Sequence, residues 1–251
     1  MPYAMNRGLH IHYRVTGYGA PLVLQHGSTS RLEAWDENGY VDALRDQFQL
    51  IMIDGRGHGQ SDKPHEQSAY DLPNRVGDVI CVLDALGLTR VHYWGYSMGG
   101  WIGFGMAAHA RERLASLVIG GAHPYADTAT AFAEIDGGDP DAFMTALEKF
   151  TGARATAEVR RRILNNDLRA LAAAMHSRCS LEHILPGIEV PTLLYVGEQD
   201  PRANKVQRCA ADLIRGHSEV LPGLDHASAS WRSDLVIPQV LPFLLEQPFP
   251  N

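Results

Sequence analysis

The chain has 251 residues, 45% of them hydrophobic, enough for one large α/β domain with a substantial core. Its 29 acidic residues against 22 basic ones give a formal charge of -7, and with no long basic run nucleic acid is not an expected partner. Residues 1–8 lack the apolar core of a signal peptide, no stretch approaches the roughly 18 apolar residues of a membrane span, and Cys81, Cys179 and Cys209 match no metal or redox spacing; a soluble, cytoplasmic protein with free thiols is expected.

In chain order, residues 9–15 alternate with period two and end at Thr16-Gly17-Tyr18-Gly19, which predicts a strand leaving a turn. His10 and His12 share one face of it, but no third ligand lies nearby in sequence, so no metal site is expected. Residues 21–25 predict a short apolar strand running into His26-Gly27-Ser28-Thr29-Ser30, where backbone N–H groups are free to face a ligand. Helical spacing of Trp35, Tyr40 or Val41, Leu44 and Phe48 predicts a helix over much of 35–48, with Asn38-Gly39 as a breaking point. The fully apolar run 50–53 predicts a parallel strand covered on both faces. The glycines at 55, 57 and 59 that follow do not match a phosphate-binding loop, so 54–62 reads as a turn, with Arg56 and His58 as structural residues. Val76, Val79, Ile80, Leu83 and Leu86 predict a helix over 73–86 with Gly87 as its C-cap.

Residues 91–96 predict another strand, which stops at Gly95-Tyr96-Ser97-Met98-Gly99 and restarts as a small-residue helix. Gly-x-Ser-x-Gly between a strand and a helix is the signature of a sharp, strained turn that exposes the serine hydroxyl. Gly95 and Gly99 fall where a Cβ would collide with the neighbouring strand or helix. A strand follows over 114–119. Residues 124–190 change character: Ala, Glu, Arg and Leu dominate, and helices are predicted near 139–150, 157–165 and 168–177. These read as an inserted cap whose helices bury their apolar faces on the main body. Alternation resumes with strand 192–196, helix 203–214, strand 217–221, a turn at 222–226, and a last helix over 233–246 that Pro238 and Pro242 should shorten or kink. Repeated strand–helix–strand crossovers imply a doubly wound, mostly parallel sheet with right-handed connections. Trp94 reads as sheet core, whereas Trp35, Trp101 and Trp231 fit either core or pocket wall.

In such a sheet the loops beyond the carboxyl ends of the strands converge on one crevice. Ser97, Asp200 and His226 all lie in loops of that kind. A serine hydroxyl needs an adjacent base to become nucleophilic, and the base needs a carboxylate to orient it. The chain here resembles the α/β-hydrolase superfamily, in its single-domain branch with a helical cap. The resemblance is carried by the His26-Gly27 strand end, the 54–62 turn, the elbow at 95–100, the strand end at 197–201 and the turn at 223–226, and so spans nearly the whole chain.

The resemblance implies an α/β-hydrolase core of residues 1–123 and 191–251 with a small helical cap of 124–190. It implies Ser97 as nucleophile, His226 as general base and then acid, Asp200 as orienting carboxylate, and an oxyanion hole of the Ser28 and Met98 N–H groups. His217 is a rival base but opens a predicted strand; Asp225 adjoins His226 too closely; Asp127 follows the strand after which some family members place their acid, four residues late. His26, Gly27, Met98, Trp101 and Phe143 are the expected substrate contacts. Haloalkane dehalogenases and epoxide hydrolases of this superfamily use an Asp where this chain has Ser97, so the implied activity is hydrolysis of a carboxylic ester or lactone through an acyl-enzyme, on a small to medium, largely apolar substrate without cofactor or metal. Two alternatives remain open: a C–C hydrolase of vinylogous diketones, which usually carries Trp after the base where Ala227 stands here, and a small-molecule receptor of the same fold.

Overall fold

The computed structural model describes residues 2–126, 132–175 and 179–249. Eight strands form one sheet: β1 (Tyr3–Asn6), β2 (Leu9–Thr16), β3 (Ala20–Gln25), β4 (Phe48–Ile53), β5 (Val91–Tyr96), β6 (Leu114–Gly120), β7 (Thr192–Gly197) and β8 (Gly216–Leu221), in the spatial order β1-β2-β4-β3-β5-β6-β7-β8. The pairings β1–β2 and β2–β4 are antiparallel, and those from β4 to β8 are parallel. The chain runs from β3 outward to β4, then returns across β3 to β5, so the direction of winding reverses at the β3/β5 boundary. A crevice opens beyond the carboxyl ends of two strands at such a reversal.

The unbroken apolar runs of the central strands reflect burial on both faces. Val23, Ile51, Ile53, Tyr93, Leu117, Ile119, Leu194 and Val196 point to one side. They meet α3 (Leu72–Ala85), α4 (Met98–His109) and α8 (Ala203–Asp212) through residues such as Val76, Val79, Ile102, Phe104 and Val206. Leu22, Leu24, Leu50, Met52, Trp94, Val118, Leu193 and Tyr195 alternate to the other side. There they pack against α1 (Ala34–Glu37), α2 (Tyr40–Leu44), α9 (Ser228–Trp231) and α10 (Ser233–Glu246).

The predicted helix over 35–48 is two short ones, because Gly39 adopts φ +80° between α1 and α2 and Phe48 already opens β4. Strand β1 was not legible in the sequence: it joins β2 through Arg7-Gly8, both at positive φ (50° and 85°), the two-residue hairpin geometry. Helix α10 is not shortened by its prolines and runs for 14 residues. Val236, Val240 and Leu244 form its buried stripe, while Pro238 and Pro242 lie on the solvent side, where water can satisfy the carbonyls they leave unpaired.

Between β6 and β7 lie α5 (Pro140–Thr151), α6 (Ala157–Leu164) and α7 (Leu168–Ala174). Asp139, Thr156 and Asp167 cap their N-termini with side-chain hydrogen bonds. These helices do not rely on the main body alone for burial. Phe132, Phe143, Met144, Leu147, Ile163 and Leu171 make an apolar cluster of their own, with Phe132 and Phe143 edge to face at 5.5 Å. Contact with the rest of the chain includes Ala173 and Ala174 against Tyr70, the Arg75 guanidinium on the Ala174 carbonyl, and His65 Nε2 at 3.0 Å from Asp167 Oδ2. Among the described residues no helix is long and apolar enough to cross a membrane.

Asp54 ties the hairpin, the 54–62 turn and the loop after β3 together. It accepts from Leu32 N (2.8 Å), Gln60 N (2.9 Å) and His12 Nδ1 (2.7 Å). Burial works to raise its pKa, but His26, these N–H donors and His12 together hold it below the usual carboxylate value. The His58 ring lies tilted against His26 with centroids 5.1 Å apart, and burial pushes its pKa down to about 3; burial followed by the Arg90 charge lowers His92 to about 4. Both are neutral in the fold and become protonated in the unfolded chain near pH 6.5. Unfolding therefore takes up protons below that pH, and stability falls as pH drops. Urea denaturation between pH 7 and about 4.5 should show stability declining by up to about 1.4 kcal/mol per pH unit for each histidine held neutral. A midpoint constant over that window would contradict this account.

Candidate active site

The turn from β5 into α4 is made by Ser97 alone: Tyr96 is the last strand residue and Met98 the first of the helix. One residue can reverse the chain so abruptly only in an unusual conformation, and Ser97 adopts φ 50°, ψ -105°. The turn is pinned by Ser97 N donating to Gly120 O (2.7 Å) and Trp101 N donating to Ser97 O (3.0 Å). Two close approaches require glycine. A Cβ on Gly95 would lie 2.2 Å from Gly99 O, and one on Gly99 would lie 2.2 Å from Gln25 O at the end of β3. The start of α4 is thereby pressed onto the β3/β5 boundary.

Ser97 Oγ donates to His226 Nε2 at 3.0 Å, and His226 Nδ1 donates to Asp200 Oδ2 at 2.5 Å. An ionised carboxylate can only accept, so it fixes the Nδ1–H tautomer and leaves Nε2 free to take a proton. Burial works to raise the pKa of Asp200; the hydrogen bond from His226, the charges of His226 and Arg202, and the Arg202 N–H overcome it and hold the carboxyl below its usual range. Its second oxygen is occupied by Arg202 N (2.9 Å) and Arg202 Nη1 (3.1 Å). Arg202 also donates to Phe150 O (2.8 Å) and lies over the Phe150 ring at 4.6 Å, so the acid loop is joined to the end of α5. Tyr96 Oη donates to His226 O, fixing the backbone of the late loop. Ser97, Asp200 and His226 are all buried.

The loop after β3 passes directly beside the serine: a Cβ on Gly27 would meet Ser97 Cβ at 3.4 Å. His26 holds this loop with both ring nitrogens, Nδ1 donating to Gly27 O (2.8 Å) and Nε2 accepting from Gly55 N (3.1 Å). Burial keeps its pKa low, against the pull of Asp54. Among the described residues, the N–H groups of Ser28 and Met98 have no acceptor. Two backbone donors beside a serine hydroxyl can hold a developing oxyanion.

A cavity of about 220 Å³ lies over this arrangement. His26, Gly27, Ser28, Ser97 and His226 line it. Trp101 and Phe143 do not: Trp101 turns from α4 toward Arg75, whose guanidinium lies 5.9 Å from its ring, and Phe143 is consumed in the cluster with Phe132. The side chain of Met98 likewise packs into the core. The apolar wall comes instead from Trp35, Trp231, Leu147, Phe150, Val159 and Ile163. The signal for part of that wall was present in α6, where Thr156, Val159 and Ile163 share a helical face. No signal marked Arg202, since its importance comes from reaching Phe150.

The rivals for each role lie elsewhere. His217 sits on edge strand β8, exposed and opposite Leu193. Asp225 bonds Ser228 N (2.7 Å) and Ser228 Oγ (2.6 Å) and so caps the next turn. Asp127 lies outside the described residues.

A family model described as the alpha/beta hydrolase fold matches residues 20–169. The chain is 26% identical over 275 residues to a non-heme haloperoxidase of Rhodococcus erythropolis, covering 97% of this chain and 99% of that protein. It is 39% identical over 126 residues to a cis-3-alkyl-4-alkyloxetan-2-one decarboxylase of Shewanella oneidensis, covering 47% of this chain but only 37% of that protein. Among solved structures, an esterase from a Rhodococcus species superposes with a TM-score of 0.84 at 26% identity, covering 98% of this chain and 99% of that one.

Gly121 lies directly against the His226 ring. At φ +59°, its added Cβ would lie 3.0 Å from His226 Cε1 and 2.9 Å from Tyr96 Oη. Gly121→Ala should displace the imidazole by a fraction of an ångström and slow the labelling of Ser97 by a fluorophosphonate about tenfold or more. Labelling at the unaltered rate, in protein with an unaltered circular dichroism spectrum, would show that the ring tolerates the shift.

Proposed function

The chain belongs to the alpha/beta-hydrolase-fold family, and from that premise we propose that it is a serine hydrolase cleaving a carboxylic ester or lactone through an acyl-enzyme. The observation that carries this reading is the continuous relay from Ser97 Oγ through His226 to Asp200, at 3.0 and 2.5 Å. Ser97 attacks the substrate carbonyl while Nε2 of His226 takes its proton. Asp200, kept ionised, stabilises the imidazolium that results. The N–H groups of Met98 and Ser28 receive the oxyanion; the first is unpaired because it opens α4, where no residue four back is helical. His226 returns its proton to the leaving alcohol; a water deprotonated at Nε2 then attacks the acyl carbonyl, and His226 passes that proton to Ser97 Oγ as its bond to the acyl group breaks. Each step is a closed-shell proton or acyl transfer.

Residues 124–190 act in this reading as a cap that supplies one wall of the substrate cavity and limits its size. The whole-length likeness to an esterase supports hydrolysis of an ester. A serine at the elbow, rather than a carboxylate, supports an acyl intermediate over alkyl transfer. Hydrolysis of p-nitrophenyl acetate, butyrate and octanoate and of γ- and δ-lactones should show steady multiple turnover. Ser97→Ala should lose about 10⁴-fold or more in kcat/KM, and Asp200→Asn about 10³–10⁴-fold, since the amide favours the wrong imidazole tautomer. Activity persisting in clean Ser97→Ala protein, or a single unrepeated turnover in the wild type, would overturn the proposal.

A further inference from the structure

The cavity over Ser97 carries positive charge that acyl transfer does not use. Arg154, in the turn between α5 and α6, and Arg162, on α6, both line it. Helix α6 faces the cavity with Thr156, Val159, Arg162 and Ile163, the spacing of a single helical face. Its neighbour Arg160 points elsewhere and is paired with Asp141. Among the described residues, no carboxylate or other acceptor engages the side chain of Arg154 or Arg162. Among the described residues the one acid in the cavity lining is Glu148, whose Oε1 accepts from Ala155 N at 3.1 Å and which makes no ion pair with either arginine. In a chain of formal charge -7, carboxylates are plentiful, yet among the described residues neither of these two cavity-lining arginines is paired with one.

Guanidinium is the side chain best suited to grip a carboxylate, because its planar fork matches two oxygens at once. We propose that Arg154 and Arg162 recognise a carboxylate on the substrate, so that the enzyme acts on esters or lactones bearing an anionic group remote from the bond cleaved. The scissile bond in this statement rests on the serine-hydrolase reading above, whereas the anion site rests on the arginines alone. Ser97, His226 and the N–H groups of Ser28 and Met98 are supplied by the loops at the strand ends, and the arginines by the helices between β6 and β7. Chemistry and charge selection thus reside on different segments of the chain. Arg154 and Arg162 are both exposed, so their effect is moderate and screened by salt.

The test compares monomethyl adipate with methyl hexanoate, which differ only in a carboxylate in place of a terminal methyl group, by pH-stat titration. Wild-type protein should favour the anionic ester in kcat/KM, chiefly through KM. The double variant Arg154→Gln/Arg162→Gln should lower that preference about tenfold, and so, in part, should about 1 M salt, where the screening length falls to about 3 Å. A preference for the neutral ester, or one that the double substitution leaves unchanged, would overturn the anion site while leaving the hydrolase reading intact. Should neither ester be turned over, calorimetry of adipate binding to Ser97→Ala protein decides the matter. Binding that is lost in the Arg154→Gln/Arg162→Gln background sustains the anion site and shows the ester reading to be at fault; binding that is absent, or indifferent to the arginines, refutes the site.

Discussion

The site depends on how closely the start of α4 is pressed against the end of β3. With only 2.2 Å between Gln25 O and the point where a Cβ on Gly99 would sit, no other residue fits without moving backbone. That contact forces the chain to turn within one residue, which places Ser97 at φ 50° with its hydroxyl toward the crevice. It also brings Gly27 and Ser28 alongside the serine, because β3 and β5 pair in register up to Gln25 and Gly95. Strain of this kind costs on the order of 1–3 kcal/mol and survives only where surrounding structure overdetermines it. Here the hydrogen bonds of Ser97 to Gly120 and Trp101 and the buried helix behind it do so.

Around this turn, buried polar groups are arranged so that each has one role. Asp54 gathers donors from the hairpin and the two turns, and His26 spends both nitrogens in holding the β3 loop; the pair fixes where the backbone donors lie. Asp200 is divided between its two oxygens, one for His226 and one for Arg202. Such groups are costly to bury unless fully paired, and paired they define a single geometry. The bond from Arg202 to Phe150 O extends that geometry to α5, joining the acid to the helices that wall the cavity.

Those helices have an apolar cluster of their own around Phe132, Phe143 and Leu171. Their shape is therefore set partly by local packing, while the sheet is covered on both faces by other helices. A wall that packs on itself can also turn Arg162 and Val159 toward the cavity while its neighbours Arg160 and Arg161 face away.

The sequence by itself determined the alternation of elements, the strand-end positions of Ser97, Asp200 and His226, and the glycines of the elbow. All of these are expressed in local periodicity or in steric demands that only one residue type meets, so they can be read along the chain. It did not reveal β1, whose hairpin rests on an Arg-Gly turn with no strong residue signature, nor the length of α10, because the exposure of Pro238 and Pro242 follows from packing. The cavity wall was likewise decided only in three dimensions. Trp101 and Phe143 are as apolar as Trp35 and Phe150, and which of them meets the cavity depends on the rotation of each element against its neighbours, a quantity set by long-range contacts such as Arg75 beside Trp101 and Arg202 on Phe150.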